Sequence, residues 1–164
     1  MELIFVRHTA VSTALKGICY GQTEVALQEP YQPSIEELRA KLPKALLTYS
    51  SPAQRCQLLA AALSTGYHTD ERLWEMHFGD WEMMSWDQIP QAPLHRWMQA
   101  FDTEGVPGGE SFTQLAVRVD DFFNVFRRKP NLPTRALIVT HAGVIRAAMH
   151  LLKGIPLKET FHHK

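Results

Sequence analysis

Leu3-Ile4-Phe5-Val6-Arg7-His8-Thr9 runs four apolar residues into an abrupt polar stop. Four in a row, rather than an alternation, is the pattern of a strand covered on both faces, as in a parallel sheet lying under helices. The pattern recurs near the other end of the chain, where Ala136 to Thr140 runs into His141-Ala142-Gly143. A further apolar segment, Ala45 to Tyr49, stops at Ser50-Ser51-Pro52. Each of these predicted strands is followed by residues that suit a turn and then by helical periodicity.

The helices are legible from their ends. Ser51 as N-cap, Pro52 at the first helical position and Gln54 as reciprocal partner predict a helix carrying Leu58, Leu59, Ala62 and Leu63 on one stripe and ending at Gly66. Ser111 and Gln114 make the same box ahead of Phe112, Leu115, Ala116, Val119, Phe122, Phe123 and Phe126, which are spaced by threes and fours. Helices are also expected over about Ser34 to Leu42, Leu94 to Phe101 and Gly143 to Leu152, and a short strand near Thr69 to Leu73. The stretch from Trp74 to Gly109, aromatic and interrupted by Pro90, Pro93 and Pro107, reads as an excursion over the active face. Alternating strand and helix predicts an α/β fold of three layers with a central, mostly parallel sheet.

The 164 residues suit one domain, residues 1–164, and 45% hydrophobic content is enough for a substantial core. Lysine plus arginine equals aspartate plus glutamate at 17 each, so no nucleic-acid partner and no polybasic membrane surface is expected. No run is long enough to span a bilayer. With only Cys19 and Cys56, no disulfide framework is expected, and a reduced, cytoplasmic setting is the default.

In open α/β sheets, ligands bind beyond the carboxyl ends of the strands. Arg7-His8, Ser50 to Arg55 and His141-Ala142-Gly143 all fall there. One such histidine is unremarkable, since a satisfied core imidazole explains it equally well. Two histidines and two arginines at one edge suit a phosphomonoester dianion. Arginine forks pair with its oxygens, a neutral imidazole can attack phosphorus, and a second imidazole, if protonated, steadies the equatorial oxygens. Gly143 lets a helix N-terminus approach the same anion. A metal site is disfavoured, because no aspartate or cysteine beside the histidines completes a ligand set and the arginines would repel the ion. Neither a metal nor any other cofactor is expected.

Four segments in order carry a family resemblance: Leu3 to Thr9, Ser50-Ser51-Pro52-Ala53-Gln54-Arg55-Cys56, Glu75-Met76-His77-Phe78-Gly79 and Val139-Thr140-His141-Ala142-Gly143. Together, over residues 2 to about 152, they resemble the histidine phosphatase superfamily, with its phosphoglycerate mutase-like fold. The resemblance implies His8 as the phosphorylated residue, with Arg7, Arg55 and His141 holding the phosphoryl oxygens. It implies Glu75 as proton donor to the leaving oxygen and then base for the hydrolytic water. By spacing alone Glu75 reads as a surface carboxylate. The acid role needs an apolar surround, which Trp74, Phe78 and Trp81 could supply.

Gly17 to Thr23, Phe78-Gly79-Asp80-Trp81-Glu82, Trp86, Pro107 to Phe112 and Gly143-Val144-Ile145-Arg146 are similar to the α-ribazole-5'-phosphate phosphatases of cobalamin nucleotide-loop assembly. That similarity implies that Cys19, Tyr20, Gly21, Gln22 and Thr23, with Ala142, line the substrate pocket. Glu24 stands where the pattern has aspartate and Met83 where it has glycine. The expected reaction is hydrolysis of a small phosphomonoester, α-ribazole 5'-phosphate foremost. A broader sugar or nucleotide-like phosphatase and a phosphoprotein phosphatase are the alternatives. Relatives usually add a strand after the helix matching 143–152, whereas Pro156 and the polar ending to Lys164 offer none. Residues beyond about Leu157, with His162 and His163 as a frayed tail, are therefore expected to pack poorly in their own subunit. The corresponding expectation is either a homodimer covering the sheet edge or a chain only marginally stable alone.

Overall fold

The computed structural model describes residues 1–43 and 47–162. Strands β1 (Glu2–Arg7), β2 (Leu47–Ser50), β3 (His68–Thr69) and β4 (Arg135–Thr140) form one sheet in the order β1-β4-β2-β3. Every pairing is parallel, with Leu3 opposite Ala136, Leu47 opposite Ala136 and Tyr49 opposite His68. Helices α1 (Gln32–Lys41), α2 (Gln54–Leu63), α3 (Gln91–Ala100), α4 (Phe112–Arg127) and α5 (Ala142–Lys153) complete the regular structure.

The side-chain alternation of the strands builds the three layers. Leu3, Phe5, Ala136 and Ile138 pack into a core with Leu115, Val119, Phe122, Phe123 and Phe126 of α4 and Val144, Ala147 and Ala148 of α5. Ile4, Val6, Leu137 and Val139 face the opposite way, against Ile35 and Leu38 of α1 and Cys56, Leu59 and Ala60 of α2. The capping box at Ser111 forms as expected: its Oγ accepts from Gln114 N–H and the Gln114 side chain accepts from Ser111 N–H. Among the described residues, no helix is long and apolar enough to cross a membrane.

Several expectations need correction, the first being the short strand near Thr69 to Leu73, of which only Thr69 is strand while Glu71–Leu73 forms a 3-10 helix. β1 pairs with β4 alone among the described strands, so only Val6 is fully buried and Leu3, Ile4 and Phe5 stay partly exposed. Four apolar residues report two covered faces but not the distance from the sheet edge. Helix α2 starts at Gln54 with Ala53 as N-cap and no side-chain cap, and it ends at Leu63 with an extended Ser64 rather than at Gly66. Ser51 lies two residues before that N-cap, and its Oγ accepts from Ala53 N–H at 3.3 Å while lying 2.8 Å from His141 Nε2. The Gln54 N–H donates instead to Glu24 Oε1 at 2.8 Å.

The C-terminal residues are packed. Leu157–His162 forms a 3-10 helix after the left-handed cap Gly154, with Thr160 fully buried and Phe161 against Phe101 at 4.8 Å and Phe112 at 5.3 Å. An aromatic ring, not a strand, secures this segment. Of the second predicted strand, Leu47 to Ser50 is observed, while Ala45, like the tail residue His163, lies outside the described residues.

Candidate active site

The parallel sheet sends the C-terminal ends of β1, β2 and β4 to one edge, and the predicted clusters meet there. His8 follows β1 and is buried. Its Nδ1 lies 2.7 Å from the Thr9 carbonyl oxygen. A carbonyl only accepts, so Nδ1 carries the proton and Nε2 keeps its lone pair. Burial above all, then the charges of Arg55 and Arg7, outweighs the Thr9 hydrogen bond and lowers the His8 pKa from 6.5 to about 4. The ring is therefore neutral at physiological pH.

His141, the N-cap of α5, is fully buried with its ring centroid 5.3 Å from that of His8. Its Nε2 lies 2.8 Å from Ser51 Oγ and its Nδ1 is 3.5 Å from Arg55 Nη2. Trp74 stacks over the ring at 6.4 Å, with 6° between the planes. Burial, followed by Arg55, His8, Arg118 and Arg7, pushes its pKa down to about 2. The second imidazole is thus uncharged at physiological pH.

Arg55, at the start of α2, exposes 1% of its surface. Nη1 donates to the Thr23 carbonyl at 2.9 Å and Nη2 to the Gly21 carbonyl, while its buried Nε–H has no acceptor among the described residues. Glu24 Oε2 stands 3.8 Å away and the Tyr20 ring 5.9 Å from the guanidinium carbon. A buried guanidinium therefore lies beside the His141 imidazole with one donor that no acceptor among the described residues meets. Arg7, exposed at the end of β1, adds charge felt by both imidazoles.

The loop at 19–23 is held by Glu82, a residue that no local pattern marks. Glu82 accepts from the backbone N–H groups of Gly21, Gln22, Thr23 and Phe78 and from Thr23 Oγ1 at 2.7 Å, and these bonds keep its carboxyl below the usual range despite the opposing effect of burial. Gly21 is obligatory there, because a Cβ would lie 2.0 Å from the Met76 carbonyl oxygen. Gln22 Nε2 donates to the Glu75 carbonyl. The Cys19 side chain packs into the core, and burial, helped by Glu82, pushes its thiol up to about 12. Cys19 and Cys56 are both free thiols.

Glu75 reaches the same edge from the aromatic excursion. Its Oε1 accepts from Met76 N–H at 2.9 Å and its Oε2 from Gly143 N–H at 3.2 Å, in the first turn of α5. Arg118 holds the backbone that presents it: Nη1 donates to the Arg72 and Trp74 carbonyls at 2.8 Å each and Nη2 to the Glu75 carbonyl at 2.9 Å. Glu110 pairs with Arg118 at 2.7 Å and also accepts from His77 N–H. Arg118 sits in the middle of an amphipathic helix, where an arginine signals only a solvated face. No local pattern could have marked it.

Beside Glu75 and Ala142 opens a cavity of about 100 Å³ walled by aromatic rings, with Arg146 of α5 on its lining. Among the described residues, no group of three or more His, Cys, Asp or Glu side chains is placed to hold a metal ion.

The chain is 30% identical over 158 residues to a metal-independent phosphoserine phosphatase of Arabidopsis thaliana, covering 89% of this chain and 66% of that protein. It is 26% identical to an adenosylcobalamin/alpha-ribazole phosphatase of Salmonella typhimurium, covering 100% of this chain and 85% of that one. The alpha-ribazole phosphatase structure from Shigella flexneri superposes with a TM-score of 0.88 at 24% identity, over 99% of this chain and 84% of that one. Its fold is therefore shared, and the three-layer architecture is phosphoglycerate mutase-like. Residues 3–164 match one family throughout: the chain belongs to the histidine phosphatase superfamily (branch 1).

Proposed function

We propose that this phosphatase hydrolyses a small phosphomonoester through a phosphohistidine at His8. The observation that carries the reading is the buried His8 ring, whose Nδ1 lies 2.7 Å from the Thr9 carbonyl oxygen so that Nε2 keeps its lone pair, 5.3 Å from the His141 ring and within the field of Arg55 and Arg7. The Nε2 lone pair forms a bond to phosphorus as the bond to the alcohol oxygen breaks, and the carboxyl of Glu75 gives its proton to that oxygen. Water then surrenders a proton to the Glu75 carboxylate and attacks phosphorus, the P–N bond breaks, and His8 returns to its neutral form. Arg7, Arg55 and His141 hold the equatorial oxygens, His141 being charged once the dianion is present. The backbone of Tyr20 to Thr23, fixed by Glu82 and Arg55, and Ala142 at the first turn of α5 shape the mouth.

The finer reading is α-ribazole 5'-phosphate as substrate, yielding α-ribazole and phosphate. The Salmonella relative's name and the aromatic cavity beside Glu75 support it. The Arabidopsis relative's name favours phosphoserine as the second candidate. The test is kcat/KM across α-ribazole 5'-phosphate, phosphoserine, sugar phosphates and a phosphopeptide, with trapping of labelled enzyme under non-acidic conditions. The label should sit on His8, His8→Ala should abolish turnover, and a chelator should have no effect. Label on another residue rejects the mechanism, and a preference of about tenfold or more for another substrate rejects the pathway assignment.

A further inference from the structure

The cavity beside Glu75 has a composition that the phosphoryl chemistry does not use. Glu75, Ala142 and Gly143 line it together with the rings of Trp97, Phe101, Phe112 and Phe161. Phe161 arrives from the C-terminal 3-10 helix and, although packed on Phe101 and Phe112, keeps 45% of its surface exposed. The Arg146 guanidinium lies 4.6 Å from the centre of the Phe161 ring. Its Nε–H is buried and has no acceptor among the described residues. Burial pulls the Arg146 pKa below its ordinary value, against the attraction of Glu75. One cation with an unused donor, stacked on a half-exposed ring, borders a space of about 100 Å³, enough for a single planar ring in a mouth open to solvent.

We propose that this cavity seats the alcohol half of the substrate and selects phosphomonoesters whose alcohol carries a planar aromatic ring with a hydrogen-bond acceptor on its edge. The inference rests on the reading that the phosphoryl group sits among His8, Arg55 and His141, since that places the leaving oxygen at Glu75 and the rest of the alcohol against these rings. The ring meets Phe161 and Trp97 edge-on or offset, and the Arg146 Nε–H donates to the edge acceptor. Phe161 and Arg146 are thereby specificity-determining residues.

The experiment compares propyl phosphate with 3-(pyridyl)propyl phosphate, whose leaving oxygens are nearly equal in basicity, so that the ratio of kcat/KM reports the cavity and not the chemistry. The ratio should favour the ring-bearing substrate by about tenfold or more in the wild type. It should shrink by about three- to tenfold in Phe161→Leu, which keeps apolar volume without a ring, and in Arg146→Gln, which keeps a donor without the stacked cation. Thermal unfolding of each variant identifies those that remain folded, and Arg146→Gln serves if Phe161→Leu does not. A wild-type ratio near one, or a ratio unmoved in the folded variants, overturns the subsite while leaving the His8 phosphatase standing. Failure of the wild type to hydrolyse either substrate or p-nitrophenyl phosphate overturns the phosphatase reading itself, and the subsite with it.

Discussion

Substituting Gly143 with alanine tests the placement of Glu75 without touching Glu75. A Cβ built at Gly143 lies 2.2 Å from Glu75 Oε1 and 3.1 Å from Leu115 Cδ2. Ordinary contact begins at 3.4 Å, so the carboxylate must withdraw by roughly 1.2 Å, and the bond from Gly143 N–H to Oε2 goes with it. A misplacement of about 1 Å commonly costs about 10²-fold in rate, within the 10²–10⁴-fold that general acid catalysis contributes. The structural cost is small by comparison, because the displaced atom ends a flexible side chain and alanine is favoured over glycine in a helix by up to about 1 kcal/mol. Gly143→Ala should therefore lower kcat for an alkyl phosphomonoester by about 10²-fold while shifting Tm by only a few degrees. The loss should be smaller for p-nitrophenyl phosphate, whose leaving oxygen needs little protonation, and inhibition by inorganic phosphate should persist. Steady-state kinetics on both substrates with a thermal melt decides it. An alkyl-substrate kcat equal to wild type would refute the assignment of Glu75 as proton carrier.

Three further outcomes follow from the same geometry. Glu75→Gln should reduce kcat by about 10²–10⁴-fold while retaining phosphate binding, and an equal loss on good and poor leaving groups would instead give the side chain a structural role. Acidification should destabilise the fold: His8 and His141 have folded pKa values of about 4 and about 2 against an ordinary 6.5, so below pH 6.5 the unfolded chain takes up protons that the native one refuses. The loss is about 2 kcal/mol per imidazole at pH 5 and grows until each folded pKa is reached, so urea denaturation that gave equal stability at pH 7 and pH 5 would contradict the neutral pair. Met83 is held at φ 65° with 45% of its surface exposed, so Met83→Gly should relieve left-handed strain and raise stability by about 0.5–1 kcal/mol, and a lowered Tm would count against that strain.

Short-range physics made much of this protein readable without coordinates. The apolar quartet at Leu3 to Val6, the run from Ala136 to Thr140 and the Ser111–Gln114 box act within one strand or one helical turn. They therefore predicted the order of strands and helices, and with it the meeting of His8, Arg55 and His141 at one sheet edge. Glu75 needed the family resemblance, since nothing within a few residues of it distinguishes a proton carrier from a surface carboxylate. What remained hidden depends on partners far away in the chain. The Ser51 hydroxyl accepts from the nearby Ala53 N–H, but its meeting with an imidazole 90 residues on has no local signal. Glu82 grips the loop 60 residues before it, and Arg118 grips Glu75 from 43 residues after it. Whether β1 lies at an edge, whether His141 is charged and whether Phe161 dangles or closes a cavity are likewise settled by what surrounds them. Periodicity reports which way a side chain faces; only the closed tertiary structure determines which groups it meets and how much water they exclude.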